Sequence, residues 1–167
     1  MKHGKVEVIC GNGVGKTSLA VGKGVVALTK QQNVIMIQFL KGSPNQEGLD
    51  VFKCMEPGFK VFRFEKADTY FENLSDEEKQ EELINIRNGF NFAKKVVTTG
   101  ECDLLILDEV LGIVEKNIVA LEEFEKLIAA REDGMSLILT GRVMPQELRS
   151  SVDIISTINY IEVDKES

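Results

Sequence analysis

The chain contains no tryptophan, one histidine, three cysteines and three prolines among its 167 residues, and each scarcity excludes something. Cys10, Cys54 and Cys102 lie far apart, form no Cys-x-x-Cys pair and have only His3 as a further soft ligand. That pattern excludes a zinc site and a disulfide framework and fits reduced thiols in a cytoplasmic protein. Long apolar runs are also missing: those at 25–28 and 104–107 fall far short of the roughly 20 residues of a membrane-spanning helix. Met1, Lys2, His3, Gly4 and Lys5 do not form the apolar stretch of a secretory leader, so the expected setting is the cytoplasm, away from membrane. Basic residues are outnumbered 20 to 27, a net charge of −7. The overall field therefore opposes nucleic acid and anionic membrane, and an anionic ligand needs local chemistry to hold it. What is present, 43% apolar and 28% charged residues, is ordinary globular composition. At roughly 150 residues per domain, residues 1–167 read as one domain.

Short β-rich runs at 6–10, 34–39, 59–64, 104–107 and 136–139, with a weaker pair within 154–163, alternate with helical patterns at 16–30, 75–98, 119–131 and 145–151. This order predicts an α/β fold with a mostly parallel sheet covered by helices on both faces. The clearest helix start is Ser75 with Glu78 three residues on, a capping box amid acidic residues that suit the positive end of the helix dipole. Behind it Leu83, Ile86, Phe90, Ala93 and Val97 form an apolar stripe. The segments 40–58 and 65–74 show weak periodicity and read as long loops, which in such folds tend to serve a ligand.

Gly11, Asn12, Gly13, Val14, Gly15, Lys16 and Thr17 follow the first strand and open the first helix, with Ser18 next in line. Backbone N–H groups and a helix N-terminus in that position surround phosphate oxygens, with Lys16 as the cation and the Thr17 hydroxyl directed at Mg²⁺. The first glycine of the common phosphate-loop pattern is replaced by Cys10, and glycines fall at 11 and 13 instead, which predicts a loop of different shape. A dinucleotide fingerprint fits worse, because no acidic residue ends the second strand. Asp108 and Glu109 close the strand at 104–107 and place two carboxylates at the sheet's C-terminal edge, where they can hold Mg²⁺ directly or through water. Whether Glu109 is a metal ligand or a water-activating base is open at this level. Arg142, after Thr140 and Gly141, brings a guanidinium to the same edge, suited to phosphate. The fold class is therefore a three-layer, RecA-like nucleotide-binding sheet.

Together these segments resemble the P-loop ATP:corrinoid adenosyltransferases. The resemblance covers roughly residues 5–157 and rests on the loop from Gly11 to Thr17, on Gln38, Phe39, Leu40, Lys41 and Gly42, on Leu107, Asp108 and Glu109, and on Leu139, Thr140, Gly141 and Arg142 followed by Pro145 and Leu148. It implies that ATP binds with its triphosphate in the loop in reversed sense and passes its 5′-deoxyadenosyl group to the Co(I) of a corrinoid, releasing triphosphate. Lys16, Thr17 and Glu109 would be the catalytic residues, and Thr17, Asp108 and Glu109 the Mg²⁺ ligands. The residues of the loop, Lys41 and Arg142 would hold ATP. The resemblance also implies a homodimer and electrons from a flavodoxin or a reduced flavin, since Co(II) must be reduced first.

The chain departs from the family pattern in places. The aromatic stretch that covers the corrinoid's lower face usually includes a tryptophan; here Phe64, Tyr70 and Phe71 are the candidate replacements. Val14 stands where the family usually has a lysine. These departures leave room for an alternative, a P-loop ATPase or nucleotide-binding module that no longer recognises corrinoids.

Overall fold

A computed structural model describes residues 3–40 and 49–165; Lys41, expected on the phosphate side, lies outside them. Among the described residues six strands, β1 (Val6–Cys10), β2 (Val34–Gln38), β3 (Phe59–Arg63), β4 (Leu104–Asp108), β5 (Ser136–Thr140) and β6 (Ile154–Thr157), are interspersed with five helices. The helices are α1 (Lys16–Thr29), α2 (Leu49–Met55), α3 (Asp76–Thr99), α4 (Val110–Glu115) and α5 (Leu121–Ala129). The strands form one sheet in the order β3-β2-β4-β5-β1-β6, and every pairing is parallel. The sheet is therefore wholly parallel.

Strand alternation divides the core in two. Val8, Cys10, Ile35, Ile37, Leu105, Leu107, Leu137 and Leu139 face α3, α4 and α5, while Ile9, Val34, Met36, Leu104, Ile106 and Ile138 face α1 and α2. A parallel sheet buried on both faces needs hydrophobic residues on both, which is why β1, β2 and β4 are buried along their whole length. The polar exceptions are Gln38 and Asp108 at the strand ends and, on the α1 face, Glu7. It is buried, pairs with Lys23 of α1 at 3.0 Å and accepts from Ser156 at 3.3 Å, so its charge is compensated where it is desolvated.

Helix α3 forms as the sequence predicts. Ser75 and Glu78 make the reciprocal capping box, and Gly100 closes the helix at φ 62°, a conformation glycine adopts without steric cost. Arg87 and Lys94 of α3 both pair with Glu123 of α5, Arg87 at 2.7 Å, and tie the two helices together over the sheet. Burial pushes the Cys102 thiol up to about 12, which keeps it protonated and inert.

Three expectations are corrected. Among the described residues the run within 154–163 yields a single strand, β6, at the edge of the sheet. The helix expected at 145–151 is a 3-10 turn, Gln146–Ser151. The segments read as loops contain α2 and a 3-10 turn, Phe71–Asn73; both elements are too short to show a period. Helix α4, six residues and almost wholly buried, carries no amphipathic pattern because it has no exposed face.

Candidate active site

The C-terminal edge of the sheet brings the motifs together. One strand, β5, lies between β1 and β4, so the phosphate loop after β1, Thr140 at the end of β5 and Asp108 at the end of β4 lie side by side. Asp108 is 0% exposed. Its Oδ1 accepts from the Thr17 hydroxyl at 2.9 Å and from the Thr140 hydroxyl at 2.7 Å. Its Oδ2 is 3.2 Å from Thr17 Oγ1 and 3.5 Å from Gln38 Nε2. A buried carboxylate is tolerated when donors surround it in this way. The Thr17 hydroxyl thus spends its proton on Asp108.

Glu109 takes the left-handed conformation, φ 62°. Such a conformation is costly for a residue with a side chain and is held only where the surroundings impose it. Here the Glu109 N–H donates to Thr140 Oγ1 at 2.8 Å, so Thr140 fixes both members of the acidic pair. The reversal sends the side chain of Glu109 into an open cleft of about 930 Å³, lined also by Leu40, Tyr70, Phe71, Glu72, Lys116 and Arg142.

The aromatic wall of the cleft sits on the turn Phe71–Asn73. Glu72 of that turn pairs with Lys116, at the end of α4, and the ammonium holds the Glu72 carboxyl below the usual range. Tyr70 is 63% exposed beside it. Leu40 forms another part of the wall. Its φ of 53° is held by its N–H donating to Glu65 Oε1 at 2.9 Å, and Gly112 leaves room for its side chain, since a Cβ there would lie 2.8 Å from Leu40 Cδ1. Burial pushes the Glu65 carboxyl upward.

The phosphate loop has a shape of its own. Gly11 and Gly15 adopt φ of 116° and 107°, and Lys16 Nζ donates to the Gly13 carbonyl at 2.7 Å. Asn12 and Val14 are exposed on the rim. Ser18 lines a separate groove with Glu7, Lys23 and Ile154, away from the cleft. Phe64 does not reach the cleft: it packs on Phe92 at 5.6 Å and over Gly89, as part of the core. Sequence reasoning missed Thr140 as the link between the acids, and also Glu72, Lys116 and Leu40. Thr140 carried a readable signal, a hydroxyl ending the strand between two motif strands, and Leu40 lay within a motif segment; Glu72 and Lys116 had no such signal.

The family model for ATP:corrinoid adenosyltransferases of the BtuR/CobO/CobP type matches residues 2–165. The chain belongs to this family. Relatives carry a matching description: the corrinoid adenosyltransferase of Escherichia coli K12 is 26% identical over 162 residues, which is 96% of this chain and 79% of the relative. The corrinoid adenosyltransferase CobA of Salmonella typhimurium LT2 matches at the same identity and coverage. A protein of Nostoc sp. PCC 7120 described as uncharacterized is 24% identical, over 97% of this chain and 45% of its own length. For this adenosyltransferase family member, the site reads as two parts at one edge of the sheet. One is a phosphate loop coupled to Asp108, the other an open cleft into which Glu109 turns. Among the described residues no helix is long and apolar enough to cross a membrane.

Proposed function

We propose that this chain transfers the 5′-deoxyadenosyl group of ATP to the Co(I) centre of a corrinoid and releases triphosphate. The observation that carries the reading is the continuity from the Thr17–Asp108–Thr140 network to the cleft: the same two elements that hold a triphosphate-binding residue turn Glu109 toward a space large enough for a bulky ligand. In the transfer, the electron pair of Co(I) forms the bond to the 5′-carbon while the carbon–oxygen bond to the triphosphate breaks and the oxygen keeps its pair. No general base is required. The demand on the protein is stabilisation of a leaving group that gathers negative charge.

The chain's own residues meet that demand in order along the loop. Lys16 and the N–H groups that open α1 face the phosphates, Arg142 supplies a guanidinium from the cleft wall, and Asn12 stands on the rim. The oxygens of Thr17, Asp108 and Glu109 are the hard donors that suit Mg²⁺. Thr17 and Glu109 would present them to the ion, with the buried Asp108 orienting Thr17 from behind. When bound, Mg²⁺ neutralises charge on the departing triphosphate. Tyr70 and Phe71 lie where they can cover a face of the corrinoid, a role that suits reduction of Co(II) by a flavodoxin or reduced flavin before transfer. The edge of β6, with Ile154 and Ile155 partly exposed, supports pairing with a second copy.

The test is incubation with Mg²⁺, ATP and chemically generated cob(I)alamin, with the visible spectrum followed and the phosphate product identified. Conversion to the adenosylated corrinoid with triphosphate is expected. ADP and phosphate without spectral conversion would point instead to attack at phosphorus, as in an ATPase that uses Glu109 to position water.

A further inference from the structure

The segment that leaves β6 is stitched to the phosphate loop. Ile158 donates its N–H to the Cys10 carbonyl at 2.8 Å and accepts from the Gly13 N–H at 2.8 Å, so the ladder between β1 and β6, which ends with Cys10 opposite Thr157, continues into the loop itself. The other side of the loop is tied in the same manner: Gly11 N–H donates to the Arg142 carbonyl at 2.9 Å. Both glycines are required by this closeness. A Cβ on Gly11 would fall 2.2 Å from the Ile158 carbonyl oxygen and 2.9 Å from Asn159 Oδ1, and one on Gly13 would fall 2.8 Å from the same carbonyl oxygen. The displaced glycines of this loop are therefore explained by a neighbouring main chain.

We propose that Ile158 is a positioning residue of the nucleotide site: its main chain fixes residues 10–13 and takes up the Gly13 amide, so that the triphosphate is held by the amides from Gly15 onward, at the head of α1. Gly15 caps α1 and Lys16 opens it, and the N-terminus of a helix favours an anion. Ile158 reaches no ligand itself. It acts by restricting the loop to one shape, and a loop ordered in advance does not lose that freedom again on binding. The inference rests on the reading that the loop binds ATP.

Ile158→Pro removes the N–H that donates to Cys10 and keeps the carbonyl, whereas Ile158→Ala keeps both main-chain bonds. Calorimetric titration with Mg·ATP, without corrinoid, should show Ile158→Pro binding about tenfold more weakly, and at least about threefold more weakly than Ile158→Ala, with thermal unfolding near that of the parent chain. In turnover assays the loss should fall on the KM for ATP, with the KM for corrinoid held within about twofold. Equal ATP affinity in the parent and Ile158→Pro overturns the inference while leaving the proposed reaction standing; a parent chain that binds no ATP overturns both. Should Ile158→Pro fail to fold, Gly13→Ala decides, because its Cβ pushes against the Ile158 carbonyl from the other side: weakened ATP binding supports the brace and unchanged binding overturns it.

Discussion

The Thr17 hydroxyl donates to Oδ1 of Asp108 at 2.9 Å, across a sheet in which another strand separates the elements that carry the two residues. The bond spans 91 positions of sequence and joins the phosphate loop to the acidic pair. Replacing Asp108 by Asn keeps the volume, but with its carbonyl oxygen on Thr17 and Thr140 it sets an amide N–H₂ in the place of Oδ2, facing the Thr17 hydroxyl and the Gln38 side-chain N–H₂. Residues that orient a ligand group from behind typically cost about 10–100-fold when altered. Asp108→Asn should lower kcat by about that factor, with a larger loss at limiting Mg²⁺ than at saturation. Steady-state kinetics over a Mg²⁺ series checks it, and a loss that does not depend on Mg²⁺ would remove Asp108 from the metal's support.

The pair between Glu72 and Lys116 fixes the turn that carries Phe71 and follows Tyr70. As an exposed ion pair it is worth at most about 1 kcal/mol to stability, so its value lies in position. Lys116→Met should leave the melting temperature within a few degrees and raise the KM for corrinoid several-fold, while the KM for ATP stays close to that of the parent chain. Tyr70→Ala and Phe71→Ala should impair reduction and adenosylation of cob(II)alamin more than reaction with preformed Co(I). Equal losses in the two assays would assign these side chains to binding alone.

How far the sequence could be read depended on the range of the interactions concerned. The capping box at Ser75 and Glu78, the stripe from Leu83 to Val97 and the loop from Gly11 to Thr17 were legible because each is a pattern within a few turns of chain. Helix α4 and the turn at Phe71 were not, since the first is buried all round and the second is three residues long. Phe64 was read as a corrinoid-side candidate, whereas it packs on Phe92 of α3 and over Gly89, contacts no local pattern announces. The glycines at 11 and 13 were visible, but what they make room for, the Ile158 carbonyl nearly 150 residues away in sequence, required the sheet.

Glu123 of α5 receives Arg87 and Lys94 of α3, and Arg87 also donates to the Ile118 carbonyl at 3.0 Å. Lys94 and Arg87 hold the Glu123 carboxyl below its ordinary value. A carboxyl whose folded pKa is depressed binds protons more weakly in the native state, so its stabilisation is fully present above the ordinary glutamate range and is lost as pH falls through the folded pKa. Glu123→Gln should therefore destabilise the chain by about 1 kcal/mol near neutrality, and the difference from the parent should vanish in strongly acidic buffer. Urea unfolding of both chains at neutral and acidic pH measures it; a difference that persists on acidification would assign the effect to packing.

Val14 is 96% exposed at the rim of the phosphate loop, and its side chain has neither charge nor hydrogen-bonding capacity. The chain carries a net charge of −7, so a triphosphate approaches against the global field and depends on nearby cations. Val14→Lys adds one such cation in a place where nothing has to be repacked. It should lower the KM for ATP by about two- to fivefold at low ionic strength, as expected for one exposed charge acting across water. The gain should shrink as salt rises toward 1 M, where the Debye length is about 3 Å. Titration of ATP at several salt concentrations separates this from a change in loop shape: a gain independent of salt would mean that the substitution acts on the backbone, and no gain would mean that the side chain at position 14 points away from the bound phosphates.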